Sequence, residues 1–389
     1  MKVGIDKIGL YVPKHYVELA ELAKVRGVEP SKYTIGIGQS KMAVPTLEQD
    51  VVSMGANAAA MILDELDRQQ IDQVIFATES AFDYSKSGAT FIHELLQIQP
   101  YCKAYELKQA CYGATAGLQL ACDYVRLRPE RRVLVIASDI ARYGLQTGGE
   151  PTQGAGAVAM VISANPRILA LDSQSVSYTT NQFDFWRPSY SDVALVDGKF
   201  STTLYQDCFV ETVKRYQQLQ PERLHSLEAM VCHLPFTKMG KKALAALEAT
   251  ELIPADVMAR LQAQYEASTI FGREVGNIYT GSLYLSLLSL LVHATSLAAG
   301  QTIGLFSYGS GAVSELLVGE LQDGYQDALL KDLLTEHLTR RSALSVAEYE
   351  RLFEQKLTFD EPEYLVEDYS KEAVYRLASI NKHQRIYCK

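Results

Sequence analysis

Two stretches of the 389-residue chain read alike: Gly154-Ala155-Gly156-Ala157-Val158 and Gly309-Ser310-Gly311-Ala312-Val313. Each runs on into apolar residues, AMVI and ELLV. Each follows an apolar, strand-like run, RRVLVIAS at 131–138 and QTIGLFS at 301–307. The surrounding elements recur in the same order. In the first half a strand, DQVIFATE (72–79), ends at Glu79 and a helix starts near Cys111. In the second half LEAMVCH (227–233) ends at His233 and a helix starts near Asn277. Apolar residues keep the 3.6 period in the helices and form β-rich runs in the strands. Self-similarity at this length predicts a duplicated α/β domain rather than a short-period solenoid. Alternating strands and helices predict layers around buried sheets.

The duplication bears directly on chemistry. Ligands in such sheets gather beyond the carboxyl ends of strands, where helix N-termini also point. Glu79 and His233 fall at equivalent strand ends, Cys111 and Asn277 at equivalent helix starts. Four chemically able side chains are therefore expected to face one cleft. The halves are read as residues 1–171, carrying Glu79 and Cys111, and 172–389, carrying His233 and Asn277. The insertion at 172–226, aromatic and polar around the single Trp186, reads as loops and a lid-like region. The tail at 317–389 reads as surface helices.

Bulk properties narrow the function. A net charge of -9 argues against a nucleic-acid partner, which needs a basic field. The opening MKVGIDKIGLYVP is too polar for a signal peptide. A cytoplasmic, reducing location with free thiols is expected for the six cysteines. They show no metal-finger spacing, so no metal site is expected. The apolar run at 281–300 carries His293 and several serines, and reads as a buried helix rather than a membrane span.

Cys111 precedes Gly113 and Ala114, which leave room for a ligand. A thiol at a helix start sits in a positive partial field that favours thiolate. Context alone leaves it open between a nucleophile and a small buried thiol. Glu79 reads either as a base whose pKa burial raises or as the salt-bridge partner of Lys86. His233 could polarise a carbonyl or be a satisfied core histidine. Asn277 could donate to a substrate carbonyl or cap a helix. Lys238, Lys241 and Lys242 form a basic cluster suited to the phosphates of an anionic carrier, or to a solvated helix face. Gly154-x-Gly156-x-x-Ala159 fits a dinucleotide fingerprint, but the residues after it read as strand, not helix.

The ordered motifs resemble a known family. K-Q-A-C-Y-G-A-T-A-G (108–117), A-T-E-S with Glu79, H-L-P-F with His233, P-T-Q-G-A-G-A-V-A (151–159), V-D-G-K-F-S (196–201), G-N-I-Y-T-G-S-L-Y (276–284) and S-Y-G-S-G (307–311) resemble 3-hydroxy-3-methylglutaryl-CoA synthases. The resemblance implies a thiolase-like fold, two α/β halves in five αβαβα layers, in a homodimer. It implies that Cys111 takes acetyl from acetyl-CoA and that Glu79 removes a methyl proton. His233 and Asn277 would hold acetoacetyl-CoA. The coenzyme A thioesters are substrates, and no cofactor is implied. Tyr143, Thr152, Ser201 and Ser307 resemble substrate-contacting residues, Lys238 and Lys242 coenzyme A contacts. Gly148 departs from the pattern, where an Asn four residues before Thr152 is expected. Glu79 argues against an initiating ketoacyl-carrier-protein synthase, and the absence of a cysteine in S-Y-G-S-G against a biosynthetic thiolase.

Overall fold

The computed structural model describes residues 1–359, 362–371 and 373–389. Its strand pairing repeats as the sequence pattern does. Ile71–Ala77 runs parallel to Arg132–Ala141, which runs antiparallel to Gly154–Ala164. Leu227–Cys232 runs parallel to Thr302–Gly309, which runs antiparallel to Val313–Leu321. Short antiparallel contacts of Val3–Tyr11 and Val313–Leu321 with Leu169–Leu171 join the two sets of strands.

Three cores define five layers. Helices Val51–Ala60 and Gly88–Leu95 cover the outer face of the first set of strands, with Val52, Phe76, Ile92 and Ile136 buried between them. Helices Gly198–Leu219 and Lys238–Glu248 cover the outer face of the second, around Phe209, Leu244 and Phe306. Helices Gly113–Leu127 and Ser282–His293 lie in the middle, where Leu118 and Leu287 share a core with strand residues of both halves. Every residue from Ser282 to Val292 is buried. Among the described residues no helix is long and apolar enough to cross a membrane. All six cysteines are free thiols.

Two expectations are corrected. The insertion is not all loop: Gly198–Leu219 is a 22-residue helix capped by the Asp197 side chain. Its buried residues Leu204, Tyr205, Cys208, Phe209, Thr212, Val213 and Tyr216 form one stripe at helical spacing. The tail is not simply surface helices. Its first residues belong to the buried Val313–Leu321 strand. Lys331–Thr339 and Val346–Glu354 are helices, but Glu363–Leu365, Arg376–Asn381 and Gln384–Cys388 form a three-stranded sheet. Lys382 and His383, at φ 46° and 67°, turn its hairpin. Arg385 (3.0 Å) and the Tyr387 hydroxyl (2.5 Å) fasten that sheet to the Asp50 carboxylate. Residues 360, 361 and 372 of the tail lie outside the described residues.

The strand Lys103–Leu107 ends the sheet order with one neighbour and an open, partly exposed edge.

Candidate active site

Each glycine that opens the repeated motif touches the other half. A Cβ on Gly154 would stand 2.7 Å from the Asn277 carbonyl oxygen, and one on Gly309 would stand 2.6 Å from the Tyr112 nitrogen. The repeat therefore brings the Cys111 and Asn277 turns against each other's strands. Only a residue without a side chain permits that approach.

Cys111 lies in a tight turn just before the Gly113–Leu127 helix, following Ala110 at φ 41°. It is 9% exposed, and its thiol donates to Glu79 Oε1 at 3.2 Å. Burial and the neighbouring Glu79 raise its pKa well above the ordinary thiol value. The expectation of a thiolate favoured by the helix start is thereby corrected. Desolvation and an adjacent carboxyl outweigh the helix field, and the resting group is a thiol.

Glu79 stands two residues past the strand Ile71–Ala77, partly exposed at a cleft wall. Its partner is Cys111, not Lys86, whose ammonium donates to Thr90 and covers the Phe91 ring. Burial, then the Asp139 carboxylate, push its pKa up to about 8. Asp139, fully buried, is a residue that sequence reasoning missed. Its Oδ1 accepts from the Glu79 N–H (2.8 Å), from Thr78 and from Ser80. Its Oδ2 accepts from the Thr280 N–H (3.1 Å) and hydroxyl (2.5 Å). One carboxylate thus ties the Glu79 turn to the Asn277 turn.

Asn277 is oriented by its surroundings. Its Oδ1 accepts from the Tyr279 N–H (2.9 Å) and the Ser282 hydroxyl (2.8 Å). That leaves Nδ2 to point at the Tyr143 hydroxyl, 3.4 Å away. Tyr143 packs against Phe185 and Tyr279, in the same apolar cluster as Cys111. Its burial, with Cys111 and Glu79 nearby, keeps the phenol protonated. Thr152 acts from behind, its carbonyl accepting the Asn277 N–H and its hydroxyl donating to the Gly149 carbonyl. A Cβ on Gly148 would meet nothing within 4 Å, so the position where an asparagine is expected faces open space.

His233 is 2% exposed, and burial lowers its pKa to about 3. Its Nδ1 has no hydrogen-bond partner among the described residues. Its backbone is fixed by the Phe306 carbonyl (2.8 Å) and the Tyr205 hydroxyl (2.6 Å). Among the described residues His233 forms no hydrogen bond to Cys111, Glu79 or Asn277; Ser307, which follows Phe306, accepts from Thr115 on the helix behind Cys111 (2.8 Å). Ser201 donates to Asp184 Oδ2 at 3.1 Å. Asp184, also missed, further accepts from the Tyr308 hydroxyl and the Gly311 N–H. Lys238 and Lys242 stand one turn apart on the helix that starts just after His233. Neither forms an ion pair among the described residues, and Lys242 lies 5.2 Å over the Phe236 ring. Gly154–Ala159 sits inside a buried strand, so the dinucleotide reading fails.

A cleft of about 970 Å³ opens onto Glu79, Gln109, Ala110 and Phe185. Arg187 stands at its wall and donates to the Glu79 carbonyl at 2.9 Å.

Fold and site together define a class: the thiolase-like acyltransferases, in which a cysteine carries the acyl group. Residues 1–167 match the family model described as Hydroxymethylglutaryl-coenzyme A synthase N terminal. Residues 169–259 and 253–389 match its C-terminal counterpart. The chain belongs to the hydroxymethylglutaryl-CoA synthase family. A hydroxymethylglutaryl-CoA synthase of Enterococcus faecalis is 48% identical over 387 residues, covering 100% of both chains. A polyketide biosynthesis 3-hydroxy-3-methylglutaryl-ACP synthase, PksG, of Bacillus subtilis (strain 168) is 32% identical, covering 91% of this chain and 88% of that one. A crystal structure of an HMG-CoA synthase complexed with CoA matches with a TM-score of 0.96 at 41% identity, over 100% of both chains.

Proposed function

We propose that the chain condenses acetyl-CoA with acetoacetyl-CoA and water to give (S)-3-hydroxy-3-methylglutaryl-CoA and free CoA, as a step of the mevalonate route to isoprenoids. The observation that carries this is the Cys111 thiol donating to Glu79 at the wall of the cleft. As Cys111 Sγ bonds to the acetyl carbonyl carbon, the carbon–sulfur bond to coenzyme A breaks and the thiol proton leaves with the departing CoA sulfur. Glu79, as the carboxylate, then takes a proton from the methyl of acetyl-Cys111. That proton is only weakly acidic, so a base in a dry pocket must be adjacent. The resulting carbanion equivalent bonds to the ketone carbon of acetoacetyl-CoA. The Asn277 amide and the neutral His233 imidazole serve as donors to the developing alkoxide, which takes up the proton held by Glu79. Water then cleaves the Cys111 thioester.

The same reading gives Tyr143, Thr152, Ser201 and Ser307 to the substrate pocket, and Lys238 and Lys242 to the phosphates of coenzyme A. It needs no cofactor, metal, nucleic acid or membrane, and places the enzyme in the cytoplasm with halves at 1–171 and 172–389. The open edge of Lys103–Leu107 supports a homodimer.

Intact-mass measurement after incubation with acetyl-CoA tests the proposal. Wild type is expected to gain one acetyl group and Cys111→Ser none. An unlabelled wild type would sink the mechanism.

A further inference from the structure

Among the described residues of the tail segment 317–389, none lines the cleft at Glu79. The segment reaches the Tyr143–Asn277 pair through a chain of hydrogen bonds. The helix Val346–Glu354, begun by a Ser345–Glu348 capping box, buries Val346, Tyr349 and Leu352 against Val17, Leu22 and Met42. Tyr349 is 1% exposed. Its hydroxyl accepts from Gln153 Nε2 at 2.8 Å and donates to Glu150 Oε1 at 3.2 Å. Arg26 holds Glu150 with two bonds of 2.8 Å.

The other end of the Gln153 amide meets the Tyr143 loop. Its Oε1 accepts from the N–H of Tyr143 at 2.7 Å and of Gly144 at 3.1 Å. That loop has left-handed backbone at Gly144 (φ 95°) and Gln146 (φ 57°), and no ladder pairs these N–H groups. Their partners are side chains: Gln153 for two, Glu150 for that of Gln146 (2.9 Å). An amide presents a donor at one end and an acceptor at the other. The two N–H groups fix which end of the amide faces the loop, and the Tyr349 oxygen anchors the other end. With that oxygen absent, the amide loses its anchor and can shift away, and the loop loses its acceptor.

We infer that Tyr349 is a positioning residue for the Tyr143–Asn277 pair, acting through Gln153. This rests on the reading of Asn277 as a donor to acetoacetyl-CoA. Tyr349→Phe removes the hydroxyl and keeps the ring in its core. Two readouts are needed: acetyl groups loaded per chain by intact mass, and condensation rate per acetylated chain. Loading of Tyr349→Phe is expected within about twofold of wild type, while condensation per acetylated chain falls about fivefold to tenfold, as one lost buried hydrogen bond implies. Leu352→Ala on the same helix face is the packing control. It should lower the melting temperature and leave condensation per acetylated chain unchanged. The positioning role is overturned by unchanged condensation in Tyr349→Phe, by a parallel fall in loading and condensation, or by an equal fall in Leu352→Ala. Wild type that loads acetyl but does not condense acetoacetyl-CoA overturns the functional reading, and the positioning role with it.

Discussion

The Cys111 thiol donates to Glu79 Oε1, and both groups resist ionisation. Burial raises both pKa values, Asp139 raises Glu79 further and Glu79 raises Cys111 further, so sulfur attacks from the thiol and loses its proton as the CoA sulfur departs. Glu79→Gln is expected to accept acetyl on Cys111 yet condense about 10²- to 10⁴-fold more slowly, the usual worth of a positioned base. Normal condensation by that variant would remove Glu79 from the acid/base role. The pH dependence follows from the sign of the shift. Glu79 must be ionised to take the methyl proton, so with its pKa raised to about 8 the condensation rate should climb with pH and level off above that value. Asp139→Asn removes the negative charge that helps raise it, and the climb should move to lower pH. A pH–rate profile of the acetylated enzyme checks both. His233 contributes no limb, because it stays neutral down to about 3.

At the scale of elements, the two motif glycines act on opposite half-reactions. Gly309 presses on the Cys111 turn and Gly154 on the Asn277 turn. Gly309→Ala should therefore slow acetyl loading, while Gly154→Ala should leave loading intact and slow condensation. Each should cost about 1–3 kcal/mol in stability, from overpacking against backbone that cannot yield. Loading and condensation measured separately, with a melting curve, distinguish the two. Equal effects of both variants on both steps would refute the reciprocal arrangement. Much of this was legible in the amino-acid order, since duplication placed Glu79, Cys111 and Asn277 at equivalent ends. Asp139 and Asp184 were not legible, although a carboxylate inside the apolar run RRVLVIASDIA signals a buried group that needs partners. The helix Gly198–Leu219 carries a clear apolar stripe, but the aromatic segment before it drew the reading towards loops. The Lys382-His383 turn has neither the glycine nor the asparagine that would advertise a two-residue hairpin.

For the whole molecule, the open Lys103–Leu107 strand is the feature that calls for a second copy. Sedimentation should give a species of about twice the 43.1 kDa chain mass, and a monomer at micromolar concentration would refute the dimer. The tail sheet held at Asp50 and the helix that carries Tyr349 show why the tail could not be read from its charge. Its structure comes from long-range contacts, including the bonds of Tyr349 to Gln153 and Glu150 and both hydrogen bonds between Asn57 and the Tyr375 backbone. No local period records such contacts. The reciprocal glycines also carry a history. In a chain made by joining two copies of one half, each Gly would first have braced the helix start of a separate, identical subunit. Any substitution at those turns would then strike two sites at once. Joining the halves would end that symmetry and let one helix start become a thiol and the other an amide donor, with the braces between them kept.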